Sequence, residues 1–61
     1  MWNHEIWTGD DWASVDYRLI LDGDTLQAEV LRVYLCPGVH STEVIDFFYD
    51  DWRNGKVRFS I

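Results

Sequence analysis

The chain predicts a small α+β fold, a largely antiparallel sheet in the order β-β-β-α-β with one amphipathic helix packed on one face. Three observations carry this expectation. Residues 15–22 alternate in strand fashion, a Gly-Asp pair joins them to a second strand in a register that matches side chains, and residues 42–53 repeat apolar positions at helical spacing.

Residues 2–8 alternate loosely and read as a first strand, closed by a turn at Gly9-Asp10-Asp11. In residues 15–22, Val15, Tyr17, Leu19 and Leu21 share one face, while Asp16, Arg18 and Asp22 share the other, with Ile20 the exception. Gly23-Asp24 has the composition of a two-residue hairpin loop, the glycine supplying the positive φ of a type II′ turn. With that loop, Asp22 faces Thr25, Leu21 faces Leu26, Leu19 faces Ala28, Arg18 faces Glu29 and Tyr17 faces Val30. Apolar meets apolar, and the one charged pair attracts. Shifting the loop to Asp22-Gly23 sets Asp16 against Glu29 and Leu21 against Asp24, which is worse. A helix over 25–35, capped by Asp24 with Gln27 three residues on, competes with this reading. The density of Val, Leu and Tyr over 30–35 and the hairpin register favour a strand.

Pro37-Gly38 breaks the chain. Ser41 is placed to cap a helix, and Gly55 stands where a glycine ends one. Between them, Val44, Ile45, Phe48, Tyr49 and Trp52 fall on one arc at a 3.6-residue period. Residues 56–61 alternate again and predict a closing strand with Val57, Phe59 and Ile61 inward.

With 61 residues the chain makes one domain (1–61) and a thin core, since a chain of this size buries only roughly 60% of its unfolded surface. Its single cysteine, Cys36, excludes an internal disulfide and suits a reducing compartment. One Cys and two His match no zinc spacing, so neither a metal nor a cofactor is expected. The N-terminus lacks the basic and apolar regions of a signal peptide, and no apolar run is long enough to span a bilayer. A complete cytoplasmic product is therefore the expectation.

Eleven acidic against five basic residues give a net charge of −6. Nucleic acid and anionic membranes repel such a chain, while a basic protein surface attracts it. Candidate chemistry is thin. Cys36 and His40 are separated by three residues with no third group to orient them, and His4 is distant, so a small Cys/His enzyme or metal site trails well behind.

The helix carries the most informative pattern. Glu43, Asp46 and Asp50 lie opposite its apolar arc, with Phe47 and Asp51 on the flank. A solvated face is the bland explanation. Yet Asp46 and Asp50 repel at i, i+4, and Asp50 and Asp51 occupy the last turn, where the helix dipole disfavours anions. An aromatic ringed by acids has the anatomy of an interaction hot spot. The leading expectation is a non-catalytic inhibitor that presents this face, as a partial nucleic-acid mimic, to the basic groove of a nucleic-acid-binding protein. Small phage-type anti-defence proteins such as anti-CRISPR inhibitors use the same physics, an analogy that rests on no shared residues.

The alternative is an assembly module. In the favoured register Ile20, Leu31, Val33 and Leu35 point away from Leu26, Ala28 and Val30, so they form an apolar patch through which a homodimer is expected at micromolar concentration. A bulge near Arg32 would instead return them to the core. Trp2, Trp7 and Trp12 are expected to pack as core, with a sugar-stacking platform the lesser reading.

Overall fold

A computed structural model describes residues 1–58. Strands β1 (Trp2–Trp7), β2 (Trp12–Asp22) and β3 (Thr25–Tyr34) form an antiparallel meander in that spatial order. Helix α1 (Ser41–Arg53) packs across one face of it. The small α+β fold and its β-β-β-α order are as the sequence predicts. The second half of the expected closing strand, residues 59–61, lies outside the described residues. Over residues 56–58 the chain is irregular, with Val57 buried against the core.

The β1–β2 turn is tied by its own polar groups. The Thr8 N–H donates to the Asp11 carbonyl at 3.0 Å, the Thr8 hydroxyl donates to the same oxygen at 2.8 Å, and the Trp12 N–H donates to the Asp11 carboxylate at 2.7 Å. These bonds let β2 start at Trp12, three residues earlier than the alternation alone indicates.

The β2–β3 hairpin adopts the register derived from side-chain matching, from Asp22↔Thr25 through Arg18↔Glu29 to Tyr17↔Val30. Gly23 has φ +62° and Asp24 does not share its positive sign, the pattern a type II′ turn requires. Beyond that the ladder shifts by one residue. Tyr17 faces Val30, but its neighbour Asp16 faces Arg32, so Leu31 is the extra residue of a β-bulge. The shift has a physical reason. Without it, Arg32 would oppose Val15 on the helix-facing side, and Val33 would oppose Ser14 on the other. With it, Arg32 sits beside the Asp16 carboxylate, and Val33 covers Val15, which is fully buried.

The core lies between the sheet and the helix. Ile6 of β1, Ala13, Val15 and Tyr17 of β2, and Ala28 of β3 meet Val44 and Phe48 of α1, joined by Cys36 and Val57. Phe48 is its centre. Its ring lies 5.1 Å from that of Tyr17, 5.2 Å from Tyr49 and 6.0 Å from His4. The phenols of buried Tyr17 and half-buried Tyr49 both find acceptors: the Tyr17 hydroxyl donates to the Arg58 carbonyl at 2.9 Å, and the Tyr49 hydroxyl to the Ala28 carbonyl at 3.3 Å. Burial pushes the Tyr17 phenol above its ordinary pKa.

The helix begins one residue earlier than expected. His40, not Ser41, is the N-cap, because Glu43 lies three residues beyond it and its carboxylate accepts the His40 backbone N–H at 3.4 Å. At the other end Gly55 has φ +72°, its N–H donates to the Trp52 carbonyl, and the Lys56 N–H donates to the Asp51 carbonyl at 2.8 Å. This paired closure is a Schellman motif, which satisfies carbonyls the helix leaves open.

Two stability predictions follow from the ladder. Deleting Leu31 restores a regular ladder with every neighbouring side chain on its present face. The shortened chain should therefore keep a cooperative thermal transition, whereas deletion of Ala28 should abolish it; a Leu31 deletion that does not fold refutes the register assignment. Gly23→Val should cost about 1–2 kcal/mol for its positive φ. A Cβ there meets nothing within 4 Å, so an unchanged melting temperature would exclude this turn.

Candidate functional site

The helix face away from the core gathers four of the five residues that the charge pattern singles out. Glu43, Asp46, Phe47 and Asp50 line one cleft of about 410 Å³, completed by Thr8 from the β1–β2 turn and Val39 from the loop before the helix. Phe47 is 43% exposed, so neither the loop nor the N-terminal segment covers it. The three acids differ in their commitments. Glu43 caps the helix, and Asp50 pairs with Arg53 on the surface. The Asp46 side chain has no hydrogen bond or ion pair among the described residues.

Asp51 departs from this group, which corrects its assignment to the presented face. One residue beyond Asp50, it is rotated by about 100° around the helix towards β1. Its Oδ2 lies 2.9 Å from Nε2 of His4, which shares the core-facing side of β1 with Ile6. Asp51 therefore ties the last helical turn to the sheet, and the side chain is half-buried.

The opposite face of the sheet carries no helix. Period-2 alternation puts Asn3, Glu5 and Trp7 of β1, Trp12, Ser14, Asp16, Arg18 and Ile20 of β2, and Arg32 and Tyr34 of β3 on this side. The expectation that the N-terminal tryptophans pack as core is thereby overturned. Trp7 and Trp12 are 54% and 56% exposed, and they stand opposite each other as a cross-strand pair with ring centroids 5.2 Å apart. Trp2 shares the core-facing side but lies near the start of an edge strand and also stays exposed. A second cleft, of about 360 Å³, opens here between Trp12 and Leu35, with Asn3, Glu5, Ser14 and Tyr34 among its lining.

Beside that cleft lies a polar cluster that pattern reading missed. The Asn3 amide donates to Asp16 Oδ1 at 2.9 Å, and the Tyr34 hydroxyl donates to Oδ2 at 2.8 Å. These two bonds hold the Asp16 carboxyl below its ordinary pKa of 3.8, with a smaller contribution from Arg32 across the strands, and outweigh the opposing effect of burial. The signal was available only through the bulge. In an unbroken ladder Tyr34 would point to the helix side, and Asp16 would face Leu31.

The apolar patch assembled from Ile20, Leu31, Val33 and Leu35 does not exist as one surface. The bulge turns Val33 into the core beside Val15, leaves Leu31 exposed as the unpaired residue, and leaves Ile20 half-buried on the open face opposite Gln27. Leu35 follows β3 and borders the second cleft. The Cys36 thiol is buried 3.8 Å from the Thr8 hydroxyl, and no hydrogen bond joins it to His4 or His40 among the described residues. No group of three or more His, Cys, Asp or Glu is arranged to hold a metal, and no helix is long and apolar enough to cross a membrane, again among the described residues.

Comparison with protein-family models, curated proteins and solved structures finds no match to this chain. Any functional reading therefore stands on the geometry of the two clefts.

The Asp16 cluster generates a pH prediction. A carboxyl with a depressed folded-state pKa contributes stability that is present above 3.8 and lost as pH falls through the lower folded value. Asp16→Asn should lower the melting temperature at neutral pH and flatten its decline below about pH 4. Parallel wild-type and variant melting curves through that range would exclude the effect.

Proposed function

We propose that the chain is a non-catalytic binding module that offers the acidic cleft of α1 to a basic surface of a partner protein. One observation carries the reading: Phe47, 43% exposed, stands in a cleft bordered by the carboxylates of Glu43, Asp46 and Asp50 and by no basic side chain. Folding uses Glu43 as the cap and pairs Asp50 with Arg53, but it gives no reason for an exposed Phe47 with Asp46 beside it. Asp46 and Asp50 repel each other four residues apart, and Asp50 lies in the turn where the dipole favours cations. An aromatic anchor with a charged rim suits a surface that presents Lys and Arg around an apolar notch.

Basic grooves of that kind belong above all to proteins that bind DNA or RNA, so occupancy of the groove makes the module an inhibitor. Small phage-type anti-defence proteins supply the physical analogy. Mimicry of the nucleic acid is partial. Acids three to four residues apart on a helix recur every ~4.5–6 Å, against one charge per ~1.7 Å of duplex axis. The Arg53 guanidinium also offsets Asp50.

The test is capture of the partner by wild-type protein and by an Asp46→Lys, Asp50→Lys double variant. Both side chains are exposed and the Asp50–Arg53 pair is a surface one, so the variant should retain the fold. The expected outcome is a nucleic-acid-binding partner held by the wild type, released by added nucleic acid and by raised ionic strength, and not held by the variant. Phe47→Ala should weaken the complex by at least ~10-fold. A variant that binds as well as the parent rejects the acidic cleft as the contact.

A further inference from the structure

We infer that the cleft on the open sheet face is a guanidinium site, shaped to take an arginine side chain of another protein. The site is separate from the helix cleft and does not depend on it. Three observations converge on this ligand class.

The first is the wall. Trp12 is 56% exposed, stands beside Trp7 at 5.2 Å, and borders the cleft together with Tyr34 and Leu35. A flat aromatic wall open to solvent takes a flat ligand, and indole is the best side-chain partner for a cation over its face.

The second is the balance of donors and acceptors. A carboxylate only accepts, so the bonds to Asp16 fix Asn3 with its N–H towards that residue and Tyr34 with its hydroxyl proton spent there. Among the groups lining the cleft, Glu5 then offers two acceptor oxygens, Tyr34 its lone pairs and Asn3 its carbonyl oxygen. The donors left are one Asn3 N–H, the Trp12 indole N–H and the Ser14 hydroxyl, which can also accept. Acceptors predominate, so the complementary ligand is rich in N–H or O–H donors.

The third is charge. Among the described residues Glu5 has no ion-pair partner, and no basic residue lines the cleft. Of the cations near this face, Arg18 donates to Glu29 at 2.6 Å, while Arg32 and the N-terminal ammonium act on Asp16, and none of them pairs with Glu5 among the described residues. A donor-rich neutral sugar would leave the Glu5 charge unanswered. A planar, donor-only cation answers wall, acceptors and charge together. Among protein side chains that is arginine, since the lysine ammonium has no face to stack and no fork to match a carboxylate.

The test is titration of the isotopically labelled full chain with N-acetyl-arginine amide, N-acetyl-lysine amide and glucose in separate series, followed through backbone and indole N–H resonances. The arginine compound should move the Trp12 indole and the Glu5 and Ser14 resonances saturably, with a dissociation constant on the order of millimolar, as befits one side chain. The lysine compound should bind at least about 3-fold more weakly, and glucose should move none of them. Trp12→Ala and Glu5→Gln should each weaken the arginine compound at least about 5-fold. Glu5→Gln keeps the side-chain shape, so it reads the charge even if Trp12→Ala perturbs the strand. The inference is overturned if the arginine compound moves only Asp46 and Phe47 resonances, if lysine matches arginine, if glucose saturates the same residues, or if no saturable shift occurs.

Discussion

One extra residue in the third strand sorts the side chains of this domain between its two faces. Up to Val30 the alternation of β3 matches that of β2. From Arg32 onward it would be inverted, with a guanidinium driven towards Phe48 and a valine into water. Leaving Leu31 unpaired resets the phase, so that Val33 closes the core over Val15, Arg32 stands across the strands from Asp16, and the Tyr34 hydroxyl reaches its carboxylate. A bulge forfeits ladder bonds at one position. Burying an arginine without a partner would cost several kcal/mol, a large part of the stability of so small a domain. The bulge is thus the cheaper solution, and both the core and the open face follow from it.

With the phase set, a single helix closes one side of the sheet. Its docking depends on Phe48, whose ring lies tilted against those of Tyr17 from β2 and His4 from β1. The His4–Asp51 bond secures the last helical turn to the same strand, so β1, β2 and α1 are held around one ring. This explains why Asp51 tolerates the unfavourable end of the helix dipole. Its carboxylate answers an imidazole on the sheet, a local contact that outweighs a dipole effect of roughly 0.3–1 kcal/mol.

Much of the fold was legible because it rests on short-range rules. The Gly23-Asp24 hairpin follows from turn chemistry and pairwise matching, and the helix follows from the spacing of Val44, Ile45, Phe48, Tyr49 and Trp52. The helix cleft was legible for the same reason, since Glu43, Asp46, Phe47 and Asp50 belong to one element whose geometry is fixed. What was not legible needed either the bulge or a partner from a distant element. Tyr34 joins Asp16 only when the phase shift is known, and the bond that ties Asp51 to the sheet needs His4, 47 residues earlier. The tryptophans were misplaced by an argument from need. A thin core would gain from them, but strand alternation binds Trp7 and Trp12 to the face opposite Ile6 and Ala13, and pattern takes precedence over need.

That misplacement carries the functional argument further than composition could. A buried aromatic removes roughly 150–250 Å² from water, and a domain of 61 residues has little other apolar area to draw on. Yet Trp7, Trp12 and Phe47 all stand about half in solvent. At about 25 cal/mol per Å² the burial forgone amounts to a few kcal/mol, comparable with the whole stability expected at this size. The carboxylates beside them follow the same logic, with Asp46 and Glu5 in no ion pair among the described residues. Both faces therefore set exposed aromatic surface beside a carboxylate with no ion pair among the described residues, the combination to which the two proposed cationic partners answer.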